Sequence, residues 1–399
     1  MKIIKDPVHG YVEVEEFIQP LLDSPVLQRL RYVRQLGFSY LVYPGANHTR
    51  FEHSLGTMHL ADVASKRFGL SDDDRKLVVA SALLHDIGHG PFSHASEPIM
   101  ESLLHRTHDQ IDDIIDTRLG SLLRSEGIDS GDVCAVVNGT HPLSGIIHGD
   151  LDVDRMDYLL RDAYYTGAPY GTVDAHRLIR NILRTDDGIV LEENGMNAAE
   201  SLLIARTLMR PTVYFHHVSR IGECMFHLAM LNHIAADPAC SIESLLARDD
   251  TSCMHLLLSS KSSPAREMMQ RIYERRLYKR AVYAAQDQVN YGAFQSPDPL
   301  MSSRAYAEEI AAQAGCAPSE VLVDIPPFPH DMSMEVMVKN RNATVGFVEF
   351  SPRLRMLNET RREQWRLGVY TLPELRDKVT EAATEILHVK KPTRQDTLF

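Results

Sequence analysis

The sequence predicts a mainly α fold: a large helical core followed by a smaller C-terminal α+β region. Three observations carry this. Capped helical patterns punctuated by Gly and Pro dominate as far as about residue 285. Later stretches alternate like strands: EVLVDI at 320–325, SMEVMVKN at 333–340 and ATVGFVEF at 343–350. The composition, 44% hydrophobic and 24% charged over 399 residues, is that of a folded chain long enough for two domains. We read 1–285 as the core, 286–390 as the α+β region and 391–399 as a flexible charged tail.

Each element has a local reason. IIKDPVHGYVEVE opens the chain as a strand or hairpin with Pro7 and Gly10 at its turn. Asp23-Ser24-Pro25 starts a helix through VLQRLRYVRQLG that Gly37 ends. A second helix fits Thr49 to Phe68, closed by Gly69. Ser71 and the aspartates after it cap a third, with Leu77, Val78, Ala82 and Leu83 on one face. Helical patterns continue through 109–128, 151–165 and 198–234, and RIYERRLYKR at 271–280 reads as a helix with one basic face. Segment 286–305 is polar, carries Pro297 and Pro299, and reads as a loop or linker; 373–388 returns to helix.

Charge and thiols narrow the function classes. Lys plus Arg total 42 against 54 Asp plus Glu, a net charge of −12, which argues against broad nucleic-acid binding while allowing a local basic pocket. The absence of a long apolar run predicts no membrane span. Cys134, Cys224, Cys240, Cys253 and Cys316 form no C-x-x-C pair and read as reduced thiols. With no signal-peptide pattern at the N-terminus, a cytoplasmic location is expected.

The chain carries 19 histidines, and eight of them (His48, His53, His59, His85, His89, His94, His105 and His108) crowd into residues 48–108. Histidine is the commonest metal ligand and titrates near neutrality. In LLHDIGHGPFSH, the adjacent His85 and Asp86 end an apolar helix and are released by glycines, which places nitrogen and carboxylate donors near one point. His53 in RFEHSLG and Asp154 in LDVDRMDYLLRD supply further ligands. Two imidazoles and two carboxylates form a mixed site with positions left open, suited to Mn, Fe, Zn or Mg rather than to a closed structural zinc. Tyr158 and Asp162 follow Asp154 at +4 and +8 and share its helix face.

The pattern His53, His85-Asp86, Asp154 resembles the metal signature of the HD-domain phosphohydrolase superfamily. QRLRYVRQLG, YPGANHTRFEHSLG, HDIGHGPFSH and DVDRMDYLLRD widen the match toward its deoxynucleoside triphosphate triphosphohydrolase branch, over residues 2 to about 285. The resemblance implies an HD-domain helical core and hydrolysis of a dNTP to deoxynucleoside and triphosphate, with one divalent metal per site and additional Mg arriving with the nucleotide. It implies that His94 is the catalytic acid, and Glu97, one helical turn on, is placed to orient it. His89 and His108 would line the phosphates, and Arg50, Arg155, Arg206 and Tyr158 would bind them. Asp162 with Gln35 would hold the sugar 3′-hydroxyl, Leu36 would crowd the 2′ position, and Tyr214 would pack under the sugar. Arg210 and Phe215 depart from the family's His and Gln, which leaves base selectivity open.

Lys2, Ile3, Asp23, Gln28 and Arg31 resemble a guanine-nucleotide activator site, and Val42, Tyr43, Arg177, Arg275 and Lys279 resemble parts of a neighbouring deoxynucleotide site. In the family these sites lie between subunits, so the resemblance implies a homo-oligomer, dimer or tetramer, with GTP or a dNTP as activator. Two alternatives stay open. One is an HD-family phosphohydrolase for nucleoside monophosphates or other phosphate esters. The other is a non-catalytic nucleotide-sensing or nucleic-acid-binding protein.

Overall fold

The computed structural model describes residues 1–185, 188–332, 334–339 and 344–390. The tail expected at 391–399, and parts of the strands expected at 333–340 and 343–350, lie outside the described residues. The fold is mainly helical with small sheets in the C-terminal region.

The chain begins with an antiparallel hairpin of β1 (Lys2–Asp6) and β2 (Gly10–Val14), with Asp6 opposite Gly10. Gly10 takes φ +80, a conformation that a side chain would strain, and so permits the tight reversal. The helix Pro25–Arg29 starts as expected, with the Ser24 side chain accepting the Leu27 N–H and Pro25 in the first turn.

The first correction follows directly. That helix tightens into one turn, Leu30–Tyr32, and ends there instead of at Gly37. The Val33 carbonyl accepts the Arg50 N–H and the Gln35 N–H reaches the His48 carbonyl, so a bridge between Arg34 and Thr49 pulls the segment out of helical pairing. Gln35 and Leu36 are thereby placed in the wall of a cavity.

The helix Arg50–Arg67, opened by a Thr49/Glu52 capping box, packs on the Ser71-capped helix Asp72–Leu84. His85-Asp86 sits where the latter ends. The helix Val153–Thr166, capped by Asp152 and closed by Gly167 at φ +73, crosses the first of the pair. The helices Met196–Met209 and His217–Ala236 are joined by a wider turn over Arg210–Tyr214. Among the described residues no helix is long and apolar enough to cross a membrane.

Three further expectations need correcting. RIYERRLYKR is not one helix: the helix Ser263–Tyr273 stops, Arg275 takes φ +55, and β5 (Lys279–Ala285) begins. Residues 286–305 are only partly loop, because Asp298 accepts the Met301 N–H and Pro299 opens the helix Pro299–Ala314. In 343–350, β8 (Thr344–Gly346) gives way to a helical turn, Phe347–Phe350, that buries Phe347.

β5 pairs antiparallel with β9 (Arg366–Thr371), which also pairs with β6 (Val321–Asp324), so this sheet joins a strand before residue 286 to two after it. A second sheet runs β3 (Ile182–Thr185), β4 (Gly188–Glu192), β7 (Met337–Lys339), β8, with β4 and β7 parallel. The helix Arg376–Ile386 follows β9. Phe92, in the loop that carries His94, stacks on Phe38 at 4.5 Å between ring centres and meets Phe226 edge-on at 5.0 Å. That cluster fixes a loop in which Phe92 and Ser93 both take positive φ, 59 and 56. The Asp250 carboxylate accepts the Phe92 N–H at 2.6 Å and holds the unfavourable turn in place.

Candidate metal centre and phosphate pocket

His53 from the 50–67 helix, His85-Asp86 from the end of the 72–84 helix and Asp154 from the first turn of the 153–166 helix converge. His53 Nε2 lies 2.9 Å from Asp154 Oδ1 and 3.6 Å from Asp86 Oδ2. His85 Nε2 lies 3.3 Å from His53 Nε2, 3.4 Å from Asp86 Oδ1 and 3.6 Å from Asp154 Oδ1. Both histidines and Asp86 are buried, while Asp154 is 23% exposed toward the cavity.

The donor chemistry fits a divalent cation. His85 Nδ1 is 2.8 Å from the Ala82 carbonyl and His53 Nδ1 is 2.7 Å from Asp157 Oδ2, so each Nδ1–H is used and each Nε2 lone pair is left for a metal. Burial alone would push the Asp157 carboxyl up, but Arg161 and the bonds from His53 and His9 hold it well below the usual carboxylate range. Arg161 donates through Nε and Nη2 to Asp157 at 2.9 and 2.8 Å, and through Nη1 to Asp6 at 2.8 Å.

A cavity of about 1090 Å³ opens beside the quartet. All the expected metal, catalytic and substrate residues line it except His53, which is buried behind the others. At one wall His89 and His108 stack with ring centres 3.9 Å apart, and Glu97 reaches both His108 Nδ1 and, at 2.8 Å, His94 Nδ1. His94 is 65% exposed to the cavity; enclosure by the walls disfavours its charged ring, yet the Glu97 carboxylate more than offsets this and the net shift is upward. His89 moves the other way: burial, Arg50 and His108 depress it well below the usual range, so its ring is neutral near pH 7. The His89 ring is buried, with Nε2 3.3 Å from Asp86 Oδ1.

Cations gather on the same cavity. Arg50 is 3% exposed, donates to Asp86 Oδ2 at 2.7 Å and to Ser93 Oγ at 2.9 Å, and keeps Nη2 buried and unbonded. Arg155 donates to Asp152 and the Gly149 carbonyl. Arg206 is buried enough to lower its pKa, with Arg155 adding repulsion. An unsatisfied buried donor and two cations in mutual repulsion leave the pocket short of negative charge.

At the other end, Tyr214 donates to Asp162 Oδ2 at 2.9 Å, and His48 Nε2 lies 2.7 Å from Asp162 Oδ1. Gln35 Oε1 is buried without a partner, and Leu36 is half-buried beside it. Burial raises the Tyr158 hydroxyl to about 12, so it stays a neutral donor. Arg210 covers the Phe215 ring at 4.0 Å and Arg220 lies 5.5 Å from it, which makes this wall aromatic and cationic.

The residues resembling activator sites are less convergent. Lys2 pairs with Asp23 at 3.3 Å, Arg31 Nε donates to Gln28 Oε1 at 2.8 Å, and Ile3 is exposed. Arg275 donates twice to the Leu41 carbonyl, beside Val42, and Tyr43 donates to the Thr212 carbonyl at 2.5 Å. Arg275 and Lys279 share a small basic cleft with Arg280 and Arg376, whereas Arg177 bonds the Asn194 carbonyl elsewhere.

Sequence reasoning missed the support behind His53: Asp157, Arg161, Asp6 and His9. It also missed His48 against Asp162, and His148, whose ring centre is 6.1 Å from that of His85. A usable signal existed in Asp157 at +3 and Arg161 at +7 from Asp154 on the same helix face.

Comparison with known proteins agrees with this geometry. Residues 50–162 match the HD domain family, and residues 173–398 match the HD-associated region. An uncharacterized protein of Methanocaldococcus jannaschii is 32% identical over 385 residues, 94% of this chain and 80% of the relative. The deoxynucleoside triphosphate triphosphohydrolase SAMHD1 homolog of Dictyostelium discoideum is 31% identical over 312 residues, 70% of this chain and 59% of that protein's own length. The crystal structure of a hypothetical protein from Aquifex aeolicus superposes with a TM-score of 0.78 at 28% identity, covering 96% of this chain and 99% of that one. With the metal-ligand cluster and both family regions in place, the chain belongs to the HD-domain phosphohydrolases, on the branch that includes the deoxynucleoside triphosphate triphosphohydrolases.

Proposed function

We propose that the protein hydrolyses a dNTP to a deoxynucleoside and inorganic triphosphate. The observation that carries this reading is a single cavity lined by His85, Asp86 and Asp154, with His53 directly behind them, together with three arginines and a His94 kept protonatable by Glu97. A triphosphate brings roughly four negative charges, which Arg50, Arg155 and Arg206 would counter. A divalent cation held by His53, His85, Asp86 and Asp154 would supply Lewis acidity at the α-phosphate and at the attacking water.

Water oxygen adds to the α-phosphorus, and the bond from that phosphorus to the sugar O5′ breaks with its electron pair leaving on O5′. His94, with Nδ1 tied to Glu97, presents Nε2–H and gives its proton to O5′. The proton lost by water passes to solvent and restores the imidazolium. His89, neutral, and His108 donate to phosphate oxygens. Gln35 Oε1, a buried acceptor without a partner, receives the 3′-hydroxyl beside Asp162, and Leu36 disfavours a 2′-hydroxyl. Activation by GTP or a dNTP at subunit interfaces and a cytoplasmic location belong to the same reading, supported by the family resemblance alone.

A second reading, hydrolysis of nucleoside monophosphates or other phosphate esters, is favoured by the altered wall at Arg210 and Phe215. Incubation of the pure protein with each dNTP and each nucleoside monophosphate, with Mn or Mg and with or without GTP, separates the two. Triphosphate from dNTPs supports the first reading; orthophosphate from monophosphates, with dNTPs untouched, replaces it with the second.

A further inference from the structure

We propose that the N-terminal hairpin forms part of the metal centre. In this account His9 and Asp6 are positioning residues that act on His53 through Asp157 and Arg161, so hairpin docking and metal binding are thermodynamically linked. The inference rests on the reading of His53 as a metal ligand.

The connection is a chain of short contacts among buried groups. His9 Nε2 lies 2.6 Å from Asp157 Oδ1, Asp157 Oδ2 lies 2.7 Å from His53 Nδ1, and the His9, Asp157 and His53 side chains are 4%, 0% and 1% exposed. Asp157 takes four donors: two from Arg161, one from His53 and one from His9. Asp6 has two tasks. Its Oδ1 accepts the Val8 and His9 N–H groups at 2.9 and 2.8 Å, which shapes the turn, and its Oδ2 accepts Arg161 Nη1 at 2.8 Å. The carboxylate that folds the hairpin turn therefore also anchors the guanidinium that orients Asp157.

A second observation points the same way. Gly56 lies one turn after His53 in the middle of the 50–67 helix, where glycine is normally costly. A Cβ there would sit 1.9 Å from Asp157 Oδ1 and 2.4 Å from Arg161 Nη2. The helix gives up a side chain to let this pair reach the metal ligand.

Outside the turn, the hairpin is held by its second strand in the core and by Lys2 against Asp23. Val12 and Val14 are buried, while Ile3 and Tyr11 are 56% and 68% exposed. Removing the bond from His9 leaves Asp157 Oδ1 with Arg161 alone and frees the carboxylate to turn from His53. Outer partners of metal-bound histidines typically change metal affinity by about 10–100-fold. Linkage is reciprocal, so metal binding must tighten the hairpin by the same factor.

The test uses the full-length, metal-stripped protein titrated with Co²⁺ and followed by the visible absorption of the bound ion. Amide hydrogen exchange of residues 2–14 is measured with and without saturating Co²⁺. We expect His9→Ala to weaken Co²⁺ binding by about 10–100-fold. His9→Gln, which keeps a donor, should recover most of it, and Tyr11→Ala should change nothing. Wild-type hairpin amides should exchange more slowly with Co²⁺ bound, and His9→Ala should lose that slowing. Unchanged Co²⁺ affinity in both His9→Ala and Asp6→Asn would overturn the proposal. Should both variants fail to fold, wild-type exchange decides alone, and exchange indifferent to Co²⁺ overturns it. Wild type that binds no Co²⁺ overturns instead the reading of the quartet.

Discussion

His94 and Glu97 set the expected pH behaviour of the site. His94 must be protonated to act as an acid, and its pKa is raised because Glu97 favours the imidazolium against the cost of enclosure in the cavity. The rate should therefore fall as pH rises through that raised pKa. Glu97→Gln removes the favouring charge and should move the alkaline limb of the kcat profile to lower pH; an unmoved limb would exclude His94 as the group being titrated. His94→Ala should lower kcat by at least about 100-fold, the usual scale of a lost general acid, with metal content unchanged on elemental analysis. These two residues were legible because His94 closes HDIGHGPFSH and Glu97 follows one helical turn later. His9 and Asp6 were not, since His9 meets Asp157 across 148 residues of chain and Asp6 meets Arg161 across 155.

Among the elements, the 50–67 helix gives the sharpest prediction. Alanine normally gains up to about 1 kcal/mol over glycine in a helix interior. At Gly56 the added carbon meets Asp157 Oδ1 at 1.9 Å, so Gly56→Ala should lower both the urea midpoint and the metal content. A more stable variant with full metal would show that the close approach is unimportant. The 217–236 helix gives a pH prediction. His227 is buried with Nε2 donating to the Ala95 carbonyl, and burial together with Arg220 lowers its pKa to about 4. The unfolded chain, with an ordinary value near about 6.5, binds more protons between those limits. Stability from His227 is complete above that window and is lost as pH falls through it, by roughly 2 kcal/mol at pH 5. Urea unfolding at pH 7 and pH 5 should show this loss, and His227→Gln should shrink it. Helix starts were readable from Ser24, Thr49 and Ser71, whereas the start at Asp298 was hidden in a segment read as linker. The N-terminal hairpin and β6 were readable too, but the helix end at Tyr32 and the strand β5 were not, because that stop is imposed by pairing with residues 48–50 and β5 exists only through its partner β9.

Across the whole molecule, the same pairing argues against a freely separable N-terminal part. β5 lies before residue 286, its partner β9 lies at 366–371, and Leu300, Val321 and Asp324 line the cavity with His94. A chain ended after residue 285 should expose β5 and aggregate; a soluble, metal-binding, active fragment would show that the core stands alone. The net charge of −12 is no obstacle to a polyanionic substrate, because the cations that matter are concentrated on one cavity. The helical class and the convergence of His53, His85, Asp86 and Asp154 were legible in the sequence, and base selectivity was not, since Arg210 and Phe215 depart from the family pattern. The central claim is tested most directly by hydrolysis of the four dNTPs in ¹⁸O-water, followed by ³¹P NMR and mass spectrometry. The account predicts inorganic triphosphate carrying the label and an unlabelled deoxynucleoside; release of orthophosphate or pyrophosphate, or label in the 5′-hydroxyl, would contradict it.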